Sequence, residues 1–330
     1  MLRNIILLIE YPIMTIYKKK PLETGGIKRY SLSERPSKVS IEAFAKPYKK
    51  GVGVKEYLDA LPGFLAAADL REVAGRIADA HKNGKAVIIG MGAHPIKVGL
   101  NPLLIQWMEA GLLSALAVNG AAMVHDFEIA FQGATSEEVG AVIDDGSFGM
   151  ARETGEYINN FIKSGVKDGL GLGEALGRGF TEANFKYNDL SLFYNAYKHK
   201  IPVTVHVAMG TDIIHYHPEA DPAAIGEGSH RDFRLLAECC RGLDGGGVFI
   251  NLGSAVVIPE VFLKTVTLLR NLGTPLNTLY TLNMDFVNNY RPRLNVVQRP
   301  TQKGGKGYNL YGHHEIMFPL LTAAVMENLK

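Results

Sequence analysis

Cysteine is nearly absent from this 330-residue chain, and its two copies, Cys239 and Cys240, are adjacent. Neighbouring cysteines on one predicted helix exclude a disulfide framework or a cysteine metal knuckle, and they fit a reducing compartment. Long apolar runs are missing too: none reaches the roughly 18–20 residues that span a bilayer. A mean hydropathy of +0.03 with 21% charged residues argues against both disorder and an integral membrane protein. No HExxH helix, no third glycine completing a GxGxxG turn and no repeat of fixed period occurs. The reading is a cytoplasmic protein, and 47% hydrophobic residues suffice for a full core in one large α/β domain or two.

The net charge of +2 hides an asymmetry. Residues 1–55 carry 12 Lys/Arg against 4 Asp/Glu, a net of +8, and the remainder carries 23 against 29, a net of −6. Residues 1–53 are therefore expected to be a basic arm, solvated or docked on an acidic surface such as a neighbouring subunit. Nothing in the body suggests a nucleic-acid module, so nucleic acid is not an expected partner. MLRNIILLIEYPI at 1–13 superficially resembles a signal peptide, but Glu10 and Pro12 interrupt it and no small-residue cleavage site follows. It is expected to be an upstream start or a tail, with Met14 opening a more ordinary beginning.

Five times an apolar run stops at small, polar or histidine residues. AVII (86–89) runs into Gly90-Met91-Gly92-Ala93-His94, and ALAV (115–118) into Asn119-Gly120, with His125-Asp126 shortly after. PVTVHV (202–207) precedes Gly210-Thr211-Asp212, GVFINL (247–252) precedes Gly253-Ser254, and TLYTL (278–282) ends at Asn283-Met284-Asp285. Short apolar runs separated by helical stretches predict buried parallel strands, and ligands in such sheets bind beyond the carboxyl ends. Helices are expected near 69–81, 101–110 (Asn101 as N-cap), 150–164, 189–199, 230–241 and 259–271, with a core helix at the end. The glycine-rich 169–179 reads as a flexible lid or subunit contact. The stretch 288–309 reads as a long irregular segment.

Glycines and small residues at these strand ends permit close backbone approach to a ligand or simply close packing. Seven histidines lie in or near the loops: His94, His125, His206, His215, His217, His313 and His314. His215 and His217 would share one face if extended, and with His206, Asp212 or Glu227 they could hold zinc or iron. Asp126, Asp212 and Asp285 could act as a base, anchor a cationic substrate, or cap the next helix. Lys303 and Lys306 are candidate imine-forming amines in a solvated loop.

Taken in order, IIGMGAHPIKVGL, ALAVNGAAMVHDFE, HKIPVTVHVAMGTDIIHYH, INLGSAVVIPEVFLKTVTLLRNLG and NLYGHHEIMFPLL resemble the deoxyhypusine synthase family over roughly 55–325. The resemblance implies an α/β fold: a Rossmann-like parallel sheet with helices on both faces, over 54–330 as a single domain. It also implies NAD bound across strand ends, sites at the interfaces of a homotetramer, and polyamine-type aminobutyl transfer through an enzyme lysine. Under it Gly92, His94, Asn119, Gly120, Gly210, Thr211, Gly253 and Ser254 would line the cofactor. His125, Asp126, Asp212, Asp285, Lys303, His313 and His314 are the catalytic candidates. This chain departs from the family pattern where Arg299-Pro300 replaces the imine-forming lysine and Ile258-Pro259-Glu260 replaces a spermidine-binding histidine. The expected chemistry is therefore an NAD-assisted transfer or oxidation on a small amine or another polar metabolite. A histidine-based, metal-dependent hydrolase and a non-catalytic metabolite-binding scaffold are the alternatives.

Overall fold

The computed structural model of the protein describes residues 16–329; the expectation for 1–13 lies outside them. The described residues up to Glu42 form one unit and those from Ala43 onward another. The first holds a turn of 3-10 helix at Leu32–Glu34, capped by the Ser31 hydroxyl. The second begins before residue 54, because Ala43 O accepts from Gly63 N at 2.7 Å and Lys46 N donates to Ala60 O at 2.9 Å. These bonds fold 43–53 back onto α1 (Val54–Ala60), which leads to α2 (Leu65–Lys82).

The sheet is built as the apolar runs predict: β1 (Val87–Met91), α3 (His94–Lys97), α4 (Asn101–Glu109), β2 (Ala115–Asn119) and α5 (Gly120–Gln132). Then follow α6 (Val139–Val142), α7 (Arg152–Lys167), α8 (Leu172–Ala183), α9 (Leu192–Lys198) and β3 (Val203–His206). The chain continues through α10 (Pro222–Cys240), β4 (Val248–Leu252), α11 (Val257–Asn271) and β5 (Leu279–Asp285). It ends with α12 (Tyr290–Pro292), a π-helical stretch (Arg293–Gln298), β6 (Gly305–Tyr311) and α13 (His314–Asn328). All pairings are parallel, in the order β3-β2-β1-β4-β5-β6.

Both sheet faces are covered, which is why the strands read as continuous apolar runs rather than alternating ones. Val87, Ile89 and Met91 join a core with Leu104, Trp107, Phe127 and Phe318, whereas Ile88 and Phe249 join a second core with Leu236, Phe262 and Leu269. Phe249 and Phe262 stack at 3.7 Å between ring centroids. Burying each such side chain contributes about 1.5–3 kcal/mol.

Three expectations change. The 169–179 stretch is no lid: it supplies the first turns of α8, and a Cβ at Gly173 would stand 1.8 Å from the Val203 carbonyl oxygen. Its glycines let the helix lie against the edge strand β3. The 288–309 segment is only partly irregular, since its end is β6, whose buried side chains are Tyr308 and Leu310. Asn101 is not an N-cap but the first residue inside α4, and its buried amide reaches across to Asp126 at 3.0 Å.

Candidate active site

In this strand order the crossover connections change direction between β1 and β4, which opens a crevice at their carboxyl ends. Two glycines stand there. A Cβ at Gly92 would lie 3.1 Å from Gly253 O. Gly253 has φ +69°, and a Cβ there would lie 2.7 Å from the His314 ring. Ser254 follows, and its hydroxyl accepts from Ile258 N at 3.2 Å, capping the start of α11.

His314 is fully buried beside this crevice. Its Nε2 bonds the Met284 carbonyl at 3.2 Å, and a carbonyl only accepts, so the proton sits on Nε2. Nδ1 is then a bare acceptor, buried and without a partner. Burial holds the ring's pKa below its ordinary value, keeping it neutral. His94 lies 5.4 Å from His314 and 5.6 Å from Phe286, while exposed His313 stacks on Phe286 at 5.9 Å. Asp285 is engaged locally: its oxygens accept from Phe286 N at 2.8 Å and from the Asn289 amide at 3.3 Å, which fixes the turn after β5.

A second group gathers over β2 and β3. A cleft of about 190 Å³ is lined by Lys97, His125, Glu128, Glu137, Thr211 and Asp212, among others. Asn119 caps α5 through Ala122 N at 3.2 Å, and Gly120 then starts the helix with no side chain. A Cβ there would sit 1.9 Å from Asp212 Oδ2, so glycine is what admits that carboxylate. Asp212 is 8% exposed, Oδ2 has no partner, and burial pushes its pKa up to about 6. His215 Nδ1 accepts from Gly210 N at 3.1 Å and Asp212 N at 3.3 Å, leaving its Nε2 3.9 Å from Asp212 Oδ2. Thr211 is exposed and its hydroxyl is turned to Ala208 O at 2.7 Å.

His125 points Nδ1 at the Thr135 hydroxyl at 2.7 Å, and Thr135 donates to Glu128 at 2.5 Å. A hydroxyl has one proton, and Thr135 donates it to Glu128, so Thr135 accepts from His125, which carries its proton on Nδ1. Burial and then the Lys97 charge depress His125 to about 4, which keeps it neutral. Glu128, Thr135 and Glu137 were not singled out in the sequence. The available signal was Glu128 three residues after His125, on the same helix face.

Other candidates lie elsewhere. Asp126 does not face this cleft. It is wholly buried, accepting from Ser191 Oγ (2.6 Å), Leu192 N (2.8 Å), Phe193 N (3.1 Å) and Asn101 Nδ2 (3.0 Å), and so it ties α5 to the start of α9. Lys303 precedes β6 and Lys306 lies near its start, so both belong to the amino end of the sheet. The seven residues of β6 put that end roughly 20 Å from the strand-end loops. Lys306 is moreover paired with Asp69 at 3.2 Å and Glu72 at 2.6 Å.

His206, His215 and His217 do not converge. His206 bonds Thr204 at 3.0 Å, and His217 bonds the Gly149 carbonyl at 2.9 Å. Residues 213–216 form a 3-10 turn rather than the strand that would align His215 with His217. Among the described residues no three His, Cys, Asp or Glu side chains are grouped to hold a metal ion, and no helix is long and apolar enough to cross a membrane.

Asp232, which the sequence did not flag, is a buried keystone on α10. Its Oδ2 accepts from Gly173 N at 3.0 Å and Val205 N at 2.8 Å, and its Oδ1 has no partner. Burial raises it to about 7 despite those bonds. A raised carboxylate favours the neutral form in the fold. Its contribution to stability is full below the ordinary 3.8 and is lost as pH rises through about 7. Asp232→Asn is expected to flatten the fall in melting temperature between pH 5 and pH 8; an unchanged slope would show that Asp232 does not titrate there.

The fold and its crevice define a doubly wound parallel α/β protein with the strand order of dinucleotide-binding sheets. No family model and no curated protein matches the chain. Solved structures do. One from Entamoeba histolytica, described as a deoxyhypusine synthase, gives a TM-score of 0.53 at 13% identity, covering 86% of this chain and 98% of that one. An LOR/SDH protein from Methanococcus maripaludis S2 gives 0.51 at 15%, over 94% and 75%. AgrE in a ternary complex with ornithine and NAD+ gives 0.51 at 15%, over 79% of this chain and 33% of that one. The chain thus spans about a third of the length of the AgrE chains it matches. At these identities the likeness establishes the fold, and it is the deoxyhypusine-synthase-like α/β fold expected from the sequence.

Proposed function

We propose that this protein is an NAD-dependent enzyme acting on a small amine, with the dinucleotide in the β1–β4 crevice. The observation that carries the reading is the coincidence of the strand-order reversal with the close approach of the Gly92 and Gly253 turns. Glycine at both positions leaves the backbone of the two turns free of side chains at the crevice mouth, where a diphosphate would meet backbone N–H groups. The ornithine and NAD+ in the AgrE complex, on a similar fold, support the same pairing of ligand classes.

When bound, the cofactor supplies a hydride acceptor for an amine-bearing carbon. The chain's own residues do the rest. The backbone turns at Gly92 and Gly253 would hold it, with the buried His314 ring packed behind Gly253 and with His94 and Phe286 closing the side over β5 and β6. Neutral His125 and the Asp212 carboxylate would orient the amine. Lys303 and Lys306 lie at the wrong end of β6, so transfer of an aminobutyl group through either of them is not part of the reading. A homotetramer in the cytoplasm belongs to the same proposal.

Calorimetry of the purified chain with NAD is the test. Saturable binding near one site per chain is expected, weakened at least tenfold in His314→Ala. No detectable heat or affinity with NAD removes the premise. If NAD binds but His125→Ala and Asp212→Ala leave amine binding unchanged, with no turnover under any condition, a non-catalytic scaffold is the better account.

A further inference from the structure

The sheet has a second opening, on the face away from α5. Val203 and Val205 of β3 enter the core shared with α5 and α8, so the alternating Thr204 and His206 point the other way, toward α10 and α11. There a cavity of about 360 Å³ opens past the end of β3, between α10 and α11. Its walls are apolar, formed by Val207, Met209, Ile225, Phe233, Val257 and Val261. Among the described residues no carboxylate, lysine or arginine lines it.

An apolar hollow alone says nothing about a ligand, but this one has a polar floor. His206 is 4% exposed, and its Nε2 is held by the Thr204 hydroxyl at 3.0 Å. Nδ1 has no partner in the protein. Unlike His314 Nδ1 and His215 Nε2 it is not shut off from solvent, which His206 meets at this cavity. Ser229 beside it is already used: its hydroxyl donates to Val205 O at 2.9 Å and accepts from Val207 N at 3.1 Å. Burial depresses His206 to about 3, so the ring is neutral. Nδ1 can then accept from a ligand while Nε2–H donates to Thr204, or donate to it while Thr204 donates to Nε2.

A glycine points to the same use. Gly226 lies inside α10, on the helix face that carries His230 one turn on and, in the neighbouring row, Ile225, Ser229 and Phe233. Its φ is not positive and a Cβ there would meet nothing within 4 Å, so neither backbone nor packing requires glycine. Glycine inside a helix is nevertheless less stable than alanine. What it provides here is an unobstructed mouth to the cavity. We propose that this cavity binds a small uncharged aromatic or heteroaromatic molecule carrying one hydrogen-bonding group, with His206 Nδ1 as its polar contact and Gly226 keeping the entrance open. The rings of Phe233 and His230 and the Met209 thioether suit a π-face. Walls without charge select against ions. Such a ligand would bind whether or not NAD occupies the β1–β4 crevice.

The test is titration of the full chain with phenol and indole, read by calorimetry and by the side-chain nitrogen signals of His206 in NMR. Toluene is the isostere of phenol without the hydroxyl, and benzoate is its charged analogue. Phenol or indole is expected to saturate near one per chain, with toluene at least fivefold weaker and benzoate not bound. The His206 nitrogens should shift with phenol and not with toluene. His206→Phe keeps an apolar ring and should bind phenol and toluene alike. Gly226→Leu should weaken both ring probes at least tenfold, and Gly226→Ala should raise the melting temperature by about 1–2 °C. Gly226 is exposed, so its variants test the cavity even if His206→Phe fails to fold. NAD that displaces indole would assign the cavity to the base of a dinucleotide, and NAD that binds alongside it would assign a separate small molecule; either keeps the cavity as a ring site. Ring binding without NAD binding would sink the nucleotide reading and keep the cavity. No saturable binding of either probe, equal affinity of the native chain for phenol and toluene, or undiminished affinity in Gly226→Leu would overturn it.

Discussion

Asp126→Ala is expected to destabilise the fold by about 3–5 kcal/mol at pH 5, a drop of roughly 4–8 °C in melting temperature. The carboxyl group gathers four donors from two places in the chain, the Ser191–Phe193 segment (the Ser191 hydroxyl and the backbone of Leu192 and Phe193) and the Asn101 amide. Alanine leaves the Leu192 and Phe193 N–H groups buried without partners and strips one bond each from Ser191 and Asn101, which keep Tyr194 N and Leu190 O, and an orphaned donor costs about 1–3 kcal/mol. Burial lifts Asp126 to about 6, so its contribution is full below the ordinary 3.8 and is lost as pH rises through 6. The gap between native and variant therefore narrows from pH 5 to pH 8. A melting temperature within 2 °C of the native value at pH 5, with ligand binding abolished, would instead return Asp126 to the site.

That outcome matters because Asp126 is where sequence and structure part most clearly. A carboxylate shortly after an apolar run is what an anchor for an amine looks like, and Asp212 is such a residue. Asp126 lies a turn and a half into α5, which points it at α9 and away from the strand ends. Distance along the chain from a strand carries no information about helix phase unless the helix start is known. Asn119, which the sequence offers as a strand-end residue lining the cofactor, is that start.

The sheet itself was legible wherever apolar residues are consecutive, because strands covered on both faces need them. β6 escaped because its first residues, Gly305-Lys306-Gly307, are small or charged on an edge strand. The glycines that suggested a flexible stretch at 169–179 are instead contacts: Gly177 and Gly179 lie against Tyr197 and Phe161. The missed β6 also explains the misplaced lysine. Counting forward from Arg291-Pro292 brings Lys303 close to the family's position in sequence, but the strand begins after it and carries the chain toward the site only from Gly305 onward. In the cleft, His125 and Asp212 were named for their types, whereas Glu137 comes from a loop whose path no periodicity predicts.

Gly253→Ala is expected to cost about 2–4 kcal/mol of stability and to weaken NAD at least a hundredfold. At φ +69° a Cβ costs about 1–2 kcal/mol from backbone sterics alone. The same atom would stand 2.7 Å from the His314 ring, which is fully buried and hydrogen-bonded to Met284 O, so it has nowhere to retreat without breaking that bond. Both responses, a distorted turn or a displaced ring, remove the features that mark the crevice. Gly92→Ala separates the two effects. Gly92 is not at positive φ, and of the atoms its Cβ would meet Gly253 O at 3.1 Å is the tight one, a contact that a shift of a few tenths of an ångström relieves, while Gly253 C and Ser254 Cα lie at ordinary distances of 3.7 and 3.8 Å. It should fold with a loss of about 1 kcal/mol or less while still weakening NAD about tenfold, because the added methyl occupies the space between the β1 and β4 turns. If both variants melt and bind NAD like the native chain, the crevice between β1 and β4 is packing rather than a nucleotide site, and the glycines are there only to let two turns lie side by side.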